Sequence, residues 1–118
     1  MNLQTQRRLE QFARLVDLPL VRVEPRMEFA LPPLRLYLEV IEDRLWLTLA
    51  RRVCAGNASG TLAKMLAACH PGLLQGIPVR AYTVRDMQLL TCTPPPDSDS
   101  RLWMRCYKAM RRLLDANG

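Results

Sequence analysis

Apolar side chains at Leu9, Phe12, Ala13 and Val16 keep the i, i+3, i+4, i+7 spacing of one helix face, while Arg7, Arg8, Glu10 and Arg14 fall off it. That spacing predicts an amphipathic helix over residues 4–16. Asp17 and Pro19 close it, because the residue before a proline is pushed out of helical geometry. The period then drops to two. Leu34, Leu36, Leu38 and Val40 alternate with Arg35, Tyr37 and Glu39, and Leu45, Leu47 and Leu49 alternate with Arg44, Trp46 and Thr48. With the polar Ile-Glu-Asp-Arg junction between them, residues 34–50 read as an antiparallel hairpin with one leucine-rich face. A preceding strand over residues 22–31 is interrupted by Pro25.

Gly-Asn-Ala-Ser-Gly at 56–60 breaks the strand pattern, and Ser59 or Thr61 is available to cap a helix with the apolar face Leu62, Met65, Leu66 and Cys69. His-Pro-Gly at 70–72 ends that helix, with Gly72 as a left-handed terminator and Pro71 unable to extend the ladder. Residues 77–93 are strand-like again, and Arg85 with Asp86 marks a second hairpin. The stiff polar segment at 93–100, Thr-Pro-Pro-Pro-Asp-Ser-Asp-Ser, supplies an N-cap and negative charge for a last helix. Its apolar face is Leu102, Trp103, Cys106, Met110, Leu113 and Leu114, and Arg111 with Arg112 suits the negative end of the helix dipole. The order α-β-β-β-α-β-β-α, without a repeat, indicates an α+β fold in which an antiparallel sheet carries flanking helices.

Length and composition narrow the function. A chain of 118 residues that is 49% apolar throughout can bury a core as one domain, 1–118, and does not have the composition of a disordered tail. No apolar run approaches the roughly 20 residues that cross a bilayer, and the N-terminus has no signal-peptide h-region, so a cytoplasmic protein is expected. Cys54, Cys69, Cys92 and Cys106 form no Cys-x-x-Cys pair and have no clustered His, so reduced thiols serving as small buried hydrophobes are expected. The net charge is +6, carried by 15 Arg and 2 Lys. The planar guanidinium fork binds carboxylates and phosphates at lower desolvation cost than an ammonium, which favours an acidic partner, although a GC-rich genome leaves the same trace.

Catalytic chemistry finds no constellation. His70 reads as a capping or surface residue, and the acidic pairs Glu42-Asp43 and Asp97-Asp99 sit where turns and caps call for carboxylates. Phosphate-cradling glycine loops and a nucleophile elbow do not occur, so no enzyme, metal or cofactor is expected. Nucleic-acid binding is the rival, because Arg7-Arg8, Arg51-Arg52 and Arg111-Arg112 make the chain basic. The three pairs lie on separate predicted elements, aromatic residues are only 6%, and no aromatic strand motif or helix-turn-helix pair accompanies them.

The element order resembles the class I chaperones of bacterial type III secretion, which are α+β proteins that work as dimers without catalysis. Residues 70–115 resemble the SsaM-type proteins of the same systems more closely. The shared pattern Leu-Gln-Gly-Ile-Pro-x-Arg stands at 74–80, Arg-Asp at Arg85 and Asp86, Cys-x-Pro-Pro at 92–95, and Leu-Trp-x-Arg at 102–105. The resemblance implies a non-enzymatic hetero-oligomeric component that joins a second small cytosolic protein and the gatekeeper, holding back effectors until translocators are exported. A chaperone for one secreted substrate is the alternative within the same class. It also implies that the middle helix and following strands form the interface, through Leu62, Met65, Leu66, Gln75, Ile77, Arg80, Tyr82, Arg85, Asp86 and Leu90. Gly76 and Pro78 then set up an edge strand, with Arg80 and Arg85 on one face if the alternation is broken between them and on opposite faces if it is not. An ordinary turn leading to a surface strand would need the same two residues.

Overall fold

The computed structural model of the chain describes residues 1–70 and 72–117. Helix α1 spans Leu3–Leu15 and is capped at its start by Asn2, whose side chain accepts the Thr5 amide at 2.8 Å. Leu9, Phe12 and Ala13 are buried as their spacing requires. Strands β1 (Arg26–Leu31), β2 (Leu34–Ile41) and β3 (Arg44–Arg52) follow as a meander. Pro25 delimits the first strand, which begins only at Arg26 and not at 22, since a proline cannot donate to a ladder. The β2–β3 turn is Glu42-Asp43, both with positive φ (53° and 60°), matching the right-handed twist of the strands it joins.

A single 3-10 turn, Ala55–Asn57, leads into α2 (Ala58–Ala68). The expected caps are not used. Asn57 occupies the N-cap position without a side-chain bond, and Thr61 is buried inside the helix. Gly72 is not left-handed, and Pro71 lies outside the described residues. The left-handed pair comes later, at Gln75 (φ 52°) and Gly76 (φ 91°). The Ile77 amide bonds to the Leu74 carbonyl across them at 3.1 Å, so the chain reverses within two residues and both Leu74 and Ile77 enter the core. Glycine at 76 therefore has a backbone reason, since an L side chain resists that φ even with space around it.

Strands β4 (Val79–Val84) and β5 (Met87–Cys92) form the second hairpin, and α3 (Ser100–Asn117) closes the order. This is the α-β-β-β-α-β-β-α arrangement, with one five-stranded antiparallel sheet in the order β1-β2-β3-β5-β4. The edges of the sheet are β1 and β4. Asp99 caps α3 by accepting the Leu102 amide at 3.0 Å, as the acidic connector predicts.

All three helices lie on one face of the sheet. Leu34, Leu36, Leu38, Leu45, Leu47, Leu49 and Leu90 meet Leu9, Phe12, Met65, Trp103, Cys106, Tyr107, Met110 and Leu114. Phe12 packs edge-on against Trp103 and Tyr107, with centroids 6.3 and 6.1 Å away, and so locks α1 to α3. The Trp103 indole N–H reaches the Ser98 hydroxyl at 2.8 Å, satisfying the polar handle of a buried ring. Cys92 and Cys106 lie together in this core, where a hydrogen bond between them and burial hold the Cys92 thiol well above the ordinary thiol range. Cys54 departs from the expectation of burial and is exposed, because it falls in the loop after β3.

Candidate functional site

Leucine alternation sends one set of side chains to the helices and leaves the other set on an uncovered sheet face. Three cross-strand rows follow from the register. Glu28, Tyr37, Thr48, Thr91 and Arg80 form one, and Ala30, Arg35, Ala50, Leu89 and Tyr82 form the next. Arg26, Glu39 and Trp46 form the third. The Thr48 and Thr91 hydroxyls bond at 2.6 Å across β3 and β5. Around them Glu39, Ile41, Trp46, Arg80 and Tyr82 enclose a shallow hollow of about 360 Å³. Trp46, Tyr82, Ile41 and Val84 are all exposed. Burial pushes the Tyr82 phenol above its ordinary pKa; a hydrogen bond with Thr48 opposes this, and the Glu39 charge adds to it.

Most cations of this face are occupied. Arg26 pairs with Glu39 at 3.5 Å, Arg35 with Glu28, and Arg52 with Asp86 at 3.1 Å. Each of these pairs ties one strand or hairpin to its neighbour. Arg80 has no ion pair with a described carboxylate, and it stands at the rim of the hollow on the edge strand.

The residues expected to bind a partner separate into groups. Met65, Ile77 and Leu90 are spent on the chain's own core, with exposures of 0, 8 and 0%. Arg80 and Tyr82 come together on the open face. Leu66 is exposed and Leu62 half-buried on α2, which packs on β4, β5 and α3 from the other side of the sheet. Gln75 lies apart from them, in the left-handed turn next to α3. Arg85 and Asp86 form the tip of the β4–β5 hairpin, with Arg85 itself left-handed at φ 56°. Neither face alternative for Arg80 and Arg85 holds, since Arg85 is in the turn and has no strand face.

Sequence reasoning missed two features. Trp46 and Tyr37 share the open face with Tyr82, which the period-two pattern already implied, since they alternate with the buried leucines. A run of cations at Arg101, Arg105, Lys108 and Arg112 follows the i, i+4, i+7, i+11 spacing along α3, and all four are exposed. Several members of the three Arg-Arg pairs are engaged within the chain: Arg51 bonds the Leu114 carbonyl at 3.3 Å and shares Asp115 with Arg111, Arg52 pairs with Asp86, and Arg111 donates to the Tyr107 hydroxyl at 2.7 Å. Among the described residues no group of His, Cys, Asp and Glu could hold a metal, and no helix is long and apolar enough to cross a membrane.

The sequence is 36% identical over 55 residues to the secretion system apparatus protein SsaM of Salmonella typhimurium, a stretch that covers 47% of this chain and 45% of that relative. The aligned part therefore spans less than half of that relative's length. The model of the SsaM family matches residues 2–117, nearly the whole chain, and the protein belongs to the SsaM family.

Proposed function

We propose that this protein is a non-enzymatic, protein-binding component of a type III secretion system that acts in the cytoplasm. It joins a second small cytosolic protein and the gatekeeper, and the complex sets translocators ahead of effectors in the order of export. Membership of the SsaM family and the secretion-apparatus name of the Salmonella relative support the system, and the chaperone-like element order supports action by binding.

One observation carries the docking assignment. Strand β4 is an edge of the sheet, so one side of its backbone has no neighbouring strand, and it carries apolar or aromatic exposure in Tyr82 and Val84. The exposed Leu66 of α2 adds to this on the helix side. An edge of this kind is open to a further strand, with backbone bonds giving affinity and flanking side chains giving selectivity. The partner straddles β4, touching Arg80 and Tyr82 on the open face and Leu62 and Leu66 on α2. Met65, Ile77 and Leu90 serve indirectly by fixing the elements beneath.

Affinity purification from a secreting bacterium tests the reading. The expected result is co-recovery of a small cytosolic protein with the gatekeeper and loss of export order on deletion. Recovery of nucleic acid in their place, or unchanged export order, contradicts it.

A further inference from the structure

Helix α3 turns three different faces outward from its axis. At about 100° per residue, Trp103, Tyr107, Met110 and Leu114 face the sheet, while Leu102, Ala109 and Leu113 lie a quarter-turn away and remain half-buried. Beside that second line the left-handed turn at Gln75-Gly76 holds Leu73 against the helix, leaving an apolar groove of about 500 Å³. Arg105, Lys108 and Arg112 form its outer rim. With Arg101 they continue as a stripe for the length of the helix, and none of the four has an ion pair with a described carboxylate. Asp115, the one acid in the α3 sequence, is turned to the far side, toward Arg51 at 3.6 Å and Arg111 at 3.9 Å.

We propose that this groove binds an amphipathic helix of a protein partner, one whose apolar ridge is flanked by carboxylates. Apolar lining asks for leucine-like anchors at i, i+3, i+4 and i+7, the mode in which one helix lays its apolar face into a groove. Neighbouring cations at i+3 and i+4 repel one another, and carboxylates along the incoming helix relieve that repulsion over its whole length. Nucleic acid fits less well. Phosphates would answer the stripe, but the groove offers aliphatic side chains and no aromatic ring for a base to stack on. The site lies on α3 and the 73–76 turn, apart from the exposed face of β4, and does not depend on the secretion role proposed above.

The test uses the full chain and three probes. One is a peptide of about 18 residues, five helical turns, with leucines at the stated spacing and glutamates beside them. The second replaces every glutamate with lysine, and the third is a short DNA duplex. Chemical-shift mapping and titration are expected to show the acidic peptide binding at least tenfold tighter than the lysine peptide, with shifts confined to residues 73–76 and 102–116. Lys108→Glu with Arg112→Glu should weaken the acidic peptide at least tenfold with melting preserved. Ala109→Trp, which fills the groove without touching charge, should abolish its binding. The proposal is overturned if no peptide binds, if both peptides bind alike, or if the shifts fall on the open sheet face. It is also overturned if the duplex binds tighter at physiological salt, or if Ala109→Trp instead disrupts a dimer of this chain.

Discussion

The open face of the sheet and the outer flank of α3 are both solvent-exposed and both rich in cations, yet they use them differently. On the sheet, Arg26, Arg35 and Arg52 each meet a carboxylate of the same chain, from Glu39, Glu28 and Asp86. On the helix, Arg101, Arg105, Lys108 and Arg112 stand in line with no described carboxylate to meet. The first arrangement neutralises charge within the fold and leaves aromatic and aliphatic surface beside an edge strand. The second keeps charge available next to an apolar groove. Net charge alone does not distinguish them, and +6 as a single number hides which cations remain free for a partner.

Both regions rest on the same core, so the largest expected effect removes both at once. Phe12→Ala deletes the ring wedged between Trp103 and Tyr107 and should cost about 3–5 kcal/mol, measured by denaturant unfolding. Next comes a change that affects one region only. Arg80→Glu with Arg85→Glu should abolish partner recovery while circular dichroism and melting stay nearly unchanged, because truncating a desolvated charge pair costs about 2–5 kcal/mol. Arg7→Glu with Arg8→Glu, on α1, should do much less. Equal binding by the two double variants breaks the assignment of β4.

Smaller effects sharpen the contrast in charge. Glu28→Gln breaks an exposed, solvent-screened pair on the sheet face and should destabilise only slightly. Lys108→Glu on the stripe should go the other way, raising stability by roughly 0.2–0.5 kcal/mol per new i, i+4 pair, because it replaces repulsion with attraction. Melting curves of the two variants in low and high salt give the comparison. The smallest effect concerns alkaline pH. The folded chain holds the Tyr82 proton to higher pH than the unfolded chain, so this contribution is complete below the free phenol value of about 10 and is lost as pH rises through the folded value. Tyr82→Phe should flatten that alkaline loss and remove a phenolate absorbance that comes in above the free phenol value.

Much of the fold was legible because its signals are local. The two leucine series predicted β2 and β3, and Glu42-Asp43 fell at their turn. The acidic connector predicted the cap of α3. Where the reading failed, a signal that is local in sequence was decided by distant packing. Ser59 and Thr61 are good caps, but the 3-10 turn before them moves the helix start to Ala58, and Thr61 is drawn inside. Gly72 and Gly76 look alike in sequence, and only the need to bury both Leu74 and Ile77 selects the second as left-handed.

The candidate site shows the same limit. An apolar residue on a helix face or strand signals burial without saying what buries it, so Met65, Ile77 and Leu90 could not be told from Leu66 or Tyr82 before the core was assembled. Tyr107 does not stand out in sequence as part of the buried face of α3 for a related reason: its hydroxyl reads as polar, while its ring packs on Phe12. The stripe from Arg101 to Arg112 has a helical period that the sequence displays openly. That no described carboxylate answers it depends on the direction Asp115 takes, which is a property of the packed helix.

Amide hydrogen exchange across the two sheet edges tests the central claim most directly. In the isolated chain the outward amides of β1 and β4 should both exchange fast, as unpaired edges do. In the complex purified from a secreting bacterium, β4 and α2 should gain protection while β1 does not. Protection gained at β1 with β4 unchanged would contradict the account.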